Sequence, residues 1–315
     1  MTQASRPSVV VADEDGIRKA AALLREGQLV ALPTETVYGL AARADRQESV
    51  EAIYRAKGRP SFNPLIVHIS GVAQARDLAA FDSPAERLVA ALWPGPLTLV
   101  LPALPGAGLA PAVTAGLPTV ALRCPGHPAM RSVLEQAGVP LAAPSANRSG
   151  AVSPTCAEHV AASLGGNVSL ILDDGPCVEG LESTIVALRA SGGWQILRPG
   201  PVTSSQLQAI LETPPSISEP AGVEAPGQLA SHYAPGKPVR LDATNAAGDE
   251  FLIGFGAIHG HAQLSSTGDL VEAASRLYAV LHQAAASPYL RIAVAPIPEL
   301  GIGIALNDRL RRAAA

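Results

Sequence analysis

Short apolar runs of strand type alternate with longer runs of helical period along the chain, and this alternation restricts the possible folds more than any other feature. It predicts an α/β protein. Residues 28–32 are predicted as a strand that stops at Pro33, and residues 48–56 as a helix that ends at Gly58 and Pro60. Further strands are predicted at 65–69, 97–101, 119–123, 168–172, 184–188 and 195–197, and further helices at 85–92, 128–137 and 155–163.

A proline-rich segment follows this first pattern. Six prolines fall between residues 212 and 238, where they interrupt any regular element. Beyond them, strands at 239–242, 251–256 and 291–296 and helices at 269–286 and 303–312 make a compact second α/β unit. The 315 residues are therefore predicted to form a first domain at 1–211, a linker at 212–238 and a small C-terminal α/β domain at 239–315.

Composition and charge exclude several classes of protein. Hydrophobic residues make up 48% and charged residues 16% of the chain, a balance that argues against disorder. The net charge of −4 provides no overall positive field for nucleic acid or an anionic membrane, so any basic site must be local. Three widely spaced cysteines without a CxxC motif support neither a disulfide framework nor a zinc ribbon. Without a long apolar run or a secretion signal, the chain is expected to be cytoplasmic.

The most informative stretch joins a predicted helix to a predicted strand. Arg55, Lys57 and Arg59 place three cations within five residues at the C-terminus of the helix. Cations there complement the helix macrodipole, which predicts a solvated helix end. Forked arginine donors and the point charge of lysine also suit a polyphosphate, so both interpretations stay open. His68 lies inside the apolar strand and is interpreted as a core histidine unless it faces the same pocket.

Polar residues also follow other predicted strands. Thr34, Glu35 and Thr36 come directly after the strand at 28–32, and a loop of small residues at 143–154 carries hydroxyl, amide and guanidinium groups. Ligands of open α/β sheets bind beyond the carboxyl ends of strands, so both segments are well placed for a substrate. Taken alone, the residues at 34–36 favour an ordinary turn with N-cap hydrogen bonds, and the segment at 143–154 favours a flexible loop.

Two familiar nucleotide-binding patterns are missing or incomplete. The sequence has no GxxxxGK[ST], so any ATP binding does not use a Walker P-loop. GFGAIHG at 254–260 imitates a dinucleotide fingerprint, but its last glycine is one residue late and the next helix starts only near residue 269. We interpret it as a glycine-rich turn.

Seven ordered motifs resemble those of the YrdC-like L-threonylcarbamoyladenylate synthase family: PTETVYGL, AIYRAKGRPSFNPLIVHI, WPGPLTLVL, TVALRCPGHP, LAAPSANRSGAVSPT, LESTIV and ILRPGPVT. APGQLASHYAP and GIGIALNDRLRRAA, nearer the C-terminus, are similar to the longer, two-domain members. The resemblance implies a twisted open α/β sheet domain, a smaller Rossmann-like α/β domain and a linker that covers the active site. It also implies that L-threonine, bicarbonate and ATP condense to L-threonylcarbamoyladenylate and pyrophosphate, with Mg²⁺ held mainly by the ATP phosphates rather than by protein side chains.

The resemblance further implies roles for individual residues. Catalytic roles fall on Lys57, Arg59, Ser145 and Asn147, and ATP contacts on Lys57, Arg59, Asn63, Ser145, Ser153, Arg198, His232 and Tyr233. L-Threonine contacts fall on Thr36, His68, Thr119, Arg123, Ala143 and Ser183. Arg123 is the natural partner for the threonine carboxylate. Which of the two adjacent linker residues, His232 or Tyr233, touches ATP stays open.

By the same resemblance, the product feeds N6-threonylcarbamoyladenosine formation at position 37 of tRNAs that read codons beginning with A. This implies a functional link to a tRNA threonylcarbamoyl transferase complex, without a need for direct tRNA binding. One alternative is carbamoyl transfer, since YrdC-like domains occur in hydrogenase-maturation carbamoyltransferases, but this sequence shows neither their acylphosphatase nor their zinc-finger segments. A second alternative, an RNA-binding module, conflicts with the net charge of −4 and only three lysines.

Overall fold

A computed structural model describes residues 7–189, 192–216, 222–228 and 231–315, which form a ten-stranded and a four-stranded sheet. The strands of the first sheet are β1 (Ser8–Val11), β2 (Val30–Leu32), β3 (Gly39–Arg43), β4 (Ile66–His68), β5 (Leu97–Pro102), β6 (Thr119–Arg123), β7 (Leu141–Ala142), β8 (Leu170–Asp173), β9 (Thr184–Leu188) and β10 (Trp194–Arg198). They lie in the order β1-β8-β2-β3-β7-β4-β6-β5-β9-β10. Parallel and antiparallel pairs are mixed, and β2, β4 and β9 are buried along their whole length.

Helices pack around this sheet at places that the sequence marks with caps. They are α1 (Glu14–Arg25), α2 (Gln47–Lys57), α3 (Val72–Arg76), α4 (Ser83–Leu92), α5 (Pro111–Thr114), α6 (Pro128–Ala137), α7 (Ala157–Leu164) and α8 (Ser204–Leu211), with a 3₁₀ turn at Gly165–Asn167. Proline opens α6, and Gly138 ends it in a left-handed conformation (φ 69°). The side chain of Thr203 caps α8 and exchanges hydrogen bonds with Gln206 in a capping box.

The second sheet is parallel throughout. Its strands β11 (Val239–Arg240), β12 (Glu250–Gly254), β13 (Ala262–Gln263) and β14 (Arg291–Val294) lie in the order β11-β14-β12-β13, and its helices are α9 (Leu270–Ala286) and α10 (Gly303–Ala314). Phe255 and Ile258 exchange backbone hydrogen bonds of 3.0 and 3.1 Å, so the segment after β12 is a tight turn. The predicted α/β class, with a second and smaller α/β domain, is confirmed.

The two domains share apolar packing through the segment between them. Regular structure stops at Leu211 and resumes at Val239, and the described residues between these positions contain no helix or strand. Tyr233 of this segment packs in the same buried cluster as Val37 and Leu181 of the first domain and the core of the second. Among the described residues, no helix has the length and hydropathy needed to cross a membrane.

Candidate active site

A cavity of about 530 Å³, including its mouth, lies beside β4 and β6, between the turns that follow β2 and β7 and the segment that precedes β11. Its ionisable and hydroxyl side chains are those of Thr34, Thr36, Arg59, His68, Arg123, Ser145, Glu182, Arg198, His232 and Tyr233. Three of these are arginines and one is an acid. The cavity is therefore suited to anionic ligands.

The turn that ends α2 carries Arg59 into the cavity. Gly58 adopts a left-handed conformation (φ 60°), which ends the helix. Arg59 donates from Nε to Asn63 O (3.1 Å) and from Nη2 to Asn63 Oδ1 (2.7 Å) and Pro64 O (2.8 Å). Burial lowers the pKa of this guanidinium to about 10. The predicted solvated helix end is therefore wrong for Arg59 and suits Arg55, whose side chain is 68% exposed.

Lys57 is also buried, but it faces a loop rather than the cavity. Its Nζ donates to Ser145 O (2.6 Å) and Asn147 O (2.5 Å), and burial holds the pKa of the ammonium well below its usual range. The side chain of Asn147 in turn donates to Arg148 O (2.9 Å) and Ala151 O (2.8 Å). The solvated interpretation is thus wrong for Lys57 as well, because its buried amine ties α2 to the loop at 143–154 by hydrogen bonds.

The turn after β2 builds one end of the cavity. The hydroxyls of Thr34 and Thr36 lie 2.8 Å apart, and Arg123 donates from Nη1 to Thr36 Oγ1 at 2.9 Å. Arg123 Nη2 also forms an ion pair with Glu35 Oε1 at 2.7 Å. Burial acts to raise the pKa of Glu35, but the Arg123 charge together with hydrogen bonds to the carboxylate lowers it. A buried guanidinium, held from two sides, therefore faces the cavity.

His68 and Ala143 complete this end. The parallel pairing of β4 with β6 sets His68 directly beside Arg123, and the Ala143 N–H donates to Ile66 O at 3.0 Å. Burial, and then the Arg123 charge, lower the pKa of His68 to about 3, so the ring is neutral. His68 is buried as predicted for a core residue, yet it lines the cavity, and its Nδ1 has no hydrogen-bond partner among the described residues.

Thr119 is not brought to this end of the cavity. It begins β6 four residues before Arg123, so the two Cα atoms are roughly 13 Å apart at the rise of a β-strand. Both side chains project from the same face of the sheet. Thr119 does not line the cavity that Arg123 lines, so its contact with threonine stays a prediction.

Another part of the cavity wall is formed by residues that precede β9 and by the end of β10. A register shift between Ile196 and Arg198 re-aims the end of β10 toward the cavity. Arg198 then donates from Nε to Ser183 O (3.1 Å) and from Nη2 to Ser183 Oγ (3.1 Å). The Ser183 hydroxyl is also 2.7 Å from Thr98 Oγ1. Ser183, which the resemblance assigns to threonine, thus orients the predicted ATP residue Arg198 rather than contacting Arg123.

Glu182, which the sequence did not assign to the site, is the acid that lines the cavity. Its Oε1 accepts a hydrogen bond from Ser153 Oγ at 2.6 Å. Burial acts to raise the pKa of Glu182, but the charges of Arg309 and Arg198, together with hydrogen bonds from Ser153 and Arg309, bring it down to about 2. Its place next to Ser183 in the LESTIV motif was the available signal.

The segment before β11 lies over the cavity. His232 and Tyr233 both line it, as does Gly227, where a Cβ would come within 2.9 Å of the Arg198 side chain. The Ala234 N–H donates to Gly150 O at 2.8 Å, which holds the segment against the first domain. The choice between His232 and Tyr233 as the ATP contact stays open.

The structure thus brings most of the predicted residues together. Nine line the cavity: Thr36, Arg59, His68, Arg123, Ala143, Ser145, Arg198, His232 and Tyr233. Lys57, Asn63, Ser153 and Ser183 each lie one hydrogen bond from a lining residue, and Asn147 is joined to Ser145 through Lys57. Thr119 lies apart, and Thr34 and Glu182 are added.

The structure thus defines an α/β protein with an arginine-lined cavity under the segment that joins its domains, and comparisons with known proteins show its family. A family model described as telomere recombination matches residues 22–200, and one described as the C-terminal domain of threonylcarbamoyl-AMP synthase matches residues 202–315. The chain belongs to the threonylcarbamoyl-AMP synthase family, as its motifs predicted.

Individual relatives agree. A threonylcarbamoyl-AMP synthase of Bacillus subtilis is 47% identical over 71% of this chain and 66% of its own length, and one of Pyrococcus abyssi is 37% identical over 96% of this chain and 94% of its own. The crystal structure of P. abyssi Sua5 complexed with L-threonine has a TM-score of 0.87 and 34% identity, covering 98% of this chain and 97% of that one.

Proposed function

We propose that this enzyme condenses L-threonine, bicarbonate and ATP, supplied with Mg²⁺, to L-threonylcarbamoyl-AMP and pyrophosphate. The observation that carries the proposal is the distribution of charge in one cavity. Arg123 stands at one end with Thr36 and neutral His68, and Arg59 and Arg198 lie elsewhere along the wall. The cavity thus has separate cationic groups for a carboxylate and for phosphates.

The Arg123 end suits an amino acid. Forked guanidinium donors match a carboxylate in two parallel bonds. The contacts to Thr36 and Glu35 hold the guanidinium in place, so little ordering is required when the ligand binds. The unpartnered Nδ1 of His68 offers a further polar contact to the substrate.

Arg59 and Arg198 suit the triphosphate. Both are buried, and both donate to neutral oxygens of the protein, the former to Asn63 and Pro64 and the latter to Ser183. Arg59 therefore offers its charge to a phosphate chain, and Arg198 adds to it, although nearby Glu182 offsets part of the Arg198 charge.

Mg²⁺ enters with ATP as part of the substrate. Glu182, the acid on the wall, already accepts bonds from Ser153, Tyr278 and Arg309. No group of three potential ligands gathers at a point among the described residues. We propose that phosphate oxygens and water hold the ion, where it spreads the charge of the leaving pyrophosphate.

The reaction needs positioning more than a protein nucleophile. The amine of threonine reacts with bicarbonate to form a carbamate and water, and a carbamate oxygen then displaces pyrophosphate from the α-phosphorus. The hydroxyls of Ser153 and Ser183 are committed to Glu182 and Thr98, which is typical of orienting groups. The covering segment with His232 and Tyr233 excludes water from the labile carbamate.

The product serves tRNA modification in this proposal. Threonylcarbamoyl-AMP passes to a tRNA threonylcarbamoyl transferase complex, which modifies the adenosine at position 37 of tRNAs that read codons beginning with A. The reaction occurs in the cytoplasm, and the enzyme itself needs no direct contact with tRNA.

Pyrophosphate release from MgATP tests the function. L-Threonine or bicarbonate is left out in turn, and the adenylate is detected by mass. We expect release to require both and to yield threonylcarbamoyl-AMP. Folded protein that binds ATP without dependence on threonine would refute the proposal and direct attention to carbamoyl transfer or RNA binding.

A further inference from the structure

The carboxylate of Glu182 is held by donors from both domains. Its Oε1 accepts from Ser153 Oγ (2.6 Å). Its Oε2 accepts from Tyr278 Oη (2.8 Å) on α9 and from Arg309 Nε (2.9 Å) on α10. Three donors thus fix the one acid on the cavity wall, and two of them belong to the second domain.

Arg309 has no exposed surface and makes contacts in three directions. Besides Glu182, it donates from Nη1 to Asp308 Oδ2 (2.6 Å) and from Nη2 to Pro199 O (2.9 Å). Its Cζ lies 5.3 Å from the centre of the Tyr233 ring. A cation in contact with the face of a buried aromatic ring is attracted to it. Arg309 therefore touches the first domain and the covering segment from the second domain.

Each of these contacts adjoins a predicted ATP residue. Ser153 is bonded to the carboxylate that Arg309 holds, Arg198 directly precedes Pro199, and Tyr233 lies against the guanidinium. The wall around Arg123 is built differently. Thr36 and Arg123 are held by each other and by Glu35, and Arg309 makes no hydrogen bond to any of them.

We propose that Arg309 is a positioning residue through which the second domain orders the predicted ATP residues Ser153, Arg198 and Tyr233, with little effect on Arg123 and Thr36. Tyr278 assists by holding the same carboxylate. The inference rests on the proposed function for its kinetic readout. It assigns to the second domain a specific part in nucleotide binding, beyond holding the segment that covers the cavity.

A purely structural ion pair predicts a different result. Loss of either partner leaves the other charge buried and unpaired, which destabilises the fold without selecting one substrate. A rise in the KM for ATP without a matching rise in the KM for threonine therefore distinguishes a positioning role from a structural one.

Two variants and a matched control test the proposal. Arg309→Met removes the charge and keeps most of the volume, and Tyr278→Phe removes a single hydroxyl from the same network. Arg311→Met is the control, since Arg311 lies on the same helix and forms an exposed ion pair with Glu299. Thermal unfolding, the KM values for ATP and threonine, and the Kd of MgATP by calorimetry are measured for each protein.

We expect Arg309→Met to raise the KM and the Kd for ATP about tenfold, and Tyr278→Phe to raise them about threefold. The KM for threonine should stay within about twofold of the wild-type value in both variants. Arg311→Met should match the wild type. Equal rises for both substrates, or ATP affinities like those of the control in the folded variants, would overturn the proposal. If Arg309→Met does not fold, Tyr278→Phe decides. The wild-type product assay separates this result from the proposed function, because ATP affinity is measured even when no product forms.

Discussion

Replacing Arg123 with lysine separates charge from geometry at the threonine end of the cavity. Arg123 is 4% exposed, with Nη1 on Thr36 and Nη2 on Glu35, so its guanidinium is fixed by two neighbours. Lysine keeps a positive charge beside Glu35, and the fold therefore retains its buried ion pair. It cannot offer two parallel donors to a carboxylate.

The expected magnitude follows from one lost bond. A hydrogen bond to a charged partner contributes about 1.5–3 kcal/mol. The loss of one of two such bonds to the threonine carboxylate raises the KM for threonine about 10- to 150-fold. Arg123 makes no hydrogen bond to Arg59 or Arg198, so the KM for ATP should change less than about twofold.

Initial rates of pyrophosphate release, with one substrate varied at saturating levels of the others, measure both constants. The control is Arg76→Lys, because Arg76 forms an exposed ion pair with Glu86 on α4. A folded Arg123→Lys protein with an unchanged KM for threonine would refute the carboxylate assignment. Equal rises in both KM values would refute the separation of the two ends.

Three further outcomes are expected. Gly200→Ala places a Cβ 2.5–2.8 Å from backbone atoms of residues 182–184. It should reduce the free energy of unfolding by more than Gly116→Ala, for which roughly 1 kcal/mol is expected because Gly116 has open space and a φ of 83°. Equal losses for the two variants in urea unfolding would contradict this. Burial lowers the pKa values of His68 and His232 to about 3, whereas histidines of the unfolded chain take up a proton below about pH 6.5. The free energy of unfolding should therefore be highest above about pH 6.5 and fall on acidification, by about 2 kcal/mol for the two histidines between pH 6 and 5. A free energy of unfolding that stays constant over this range would contradict the prediction. EDTA should stop pyrophosphate release and added Mg²⁺ restore it, and full activity in EDTA would show that MgATP is not the substrate.

Elements with strong local signals were predictable. The predicted bounds of β6, β9 and α6 match the observed Thr119–Arg123, Thr184–Leu188 and Pro128–Ala137. β-Branched runs favour the strands, while proline and a left-handed glycine delimit the helix. In each case the deciding interaction lies within a few residues of the element.

Elements that depend on distant partners were missed. Within the described part of the chain, β1 is an edge strand whose one partner is β8, from the other end of the first domain, and Val9 and Val11 are exposed. β3 (Gly39–Arg43) contains glycine and two alanines, and forms because β2 and β7 flank it. Neither strand has an alternating apolar pattern that would mark one buried face.

The sequence by itself determined the α/β class, the family and most residues of the site, because these reside in local patterns and in ordered motifs. Only the tertiary structure decided what those residues contact. Lys57 faces backbone carbonyls rather than the cavity, Thr119 lies far from Arg123, and Glu182 is joined to Arg309 from the last helix. The physical reason is that burial and charge pairing depend on distance in space, which spacing along the chain does not specify.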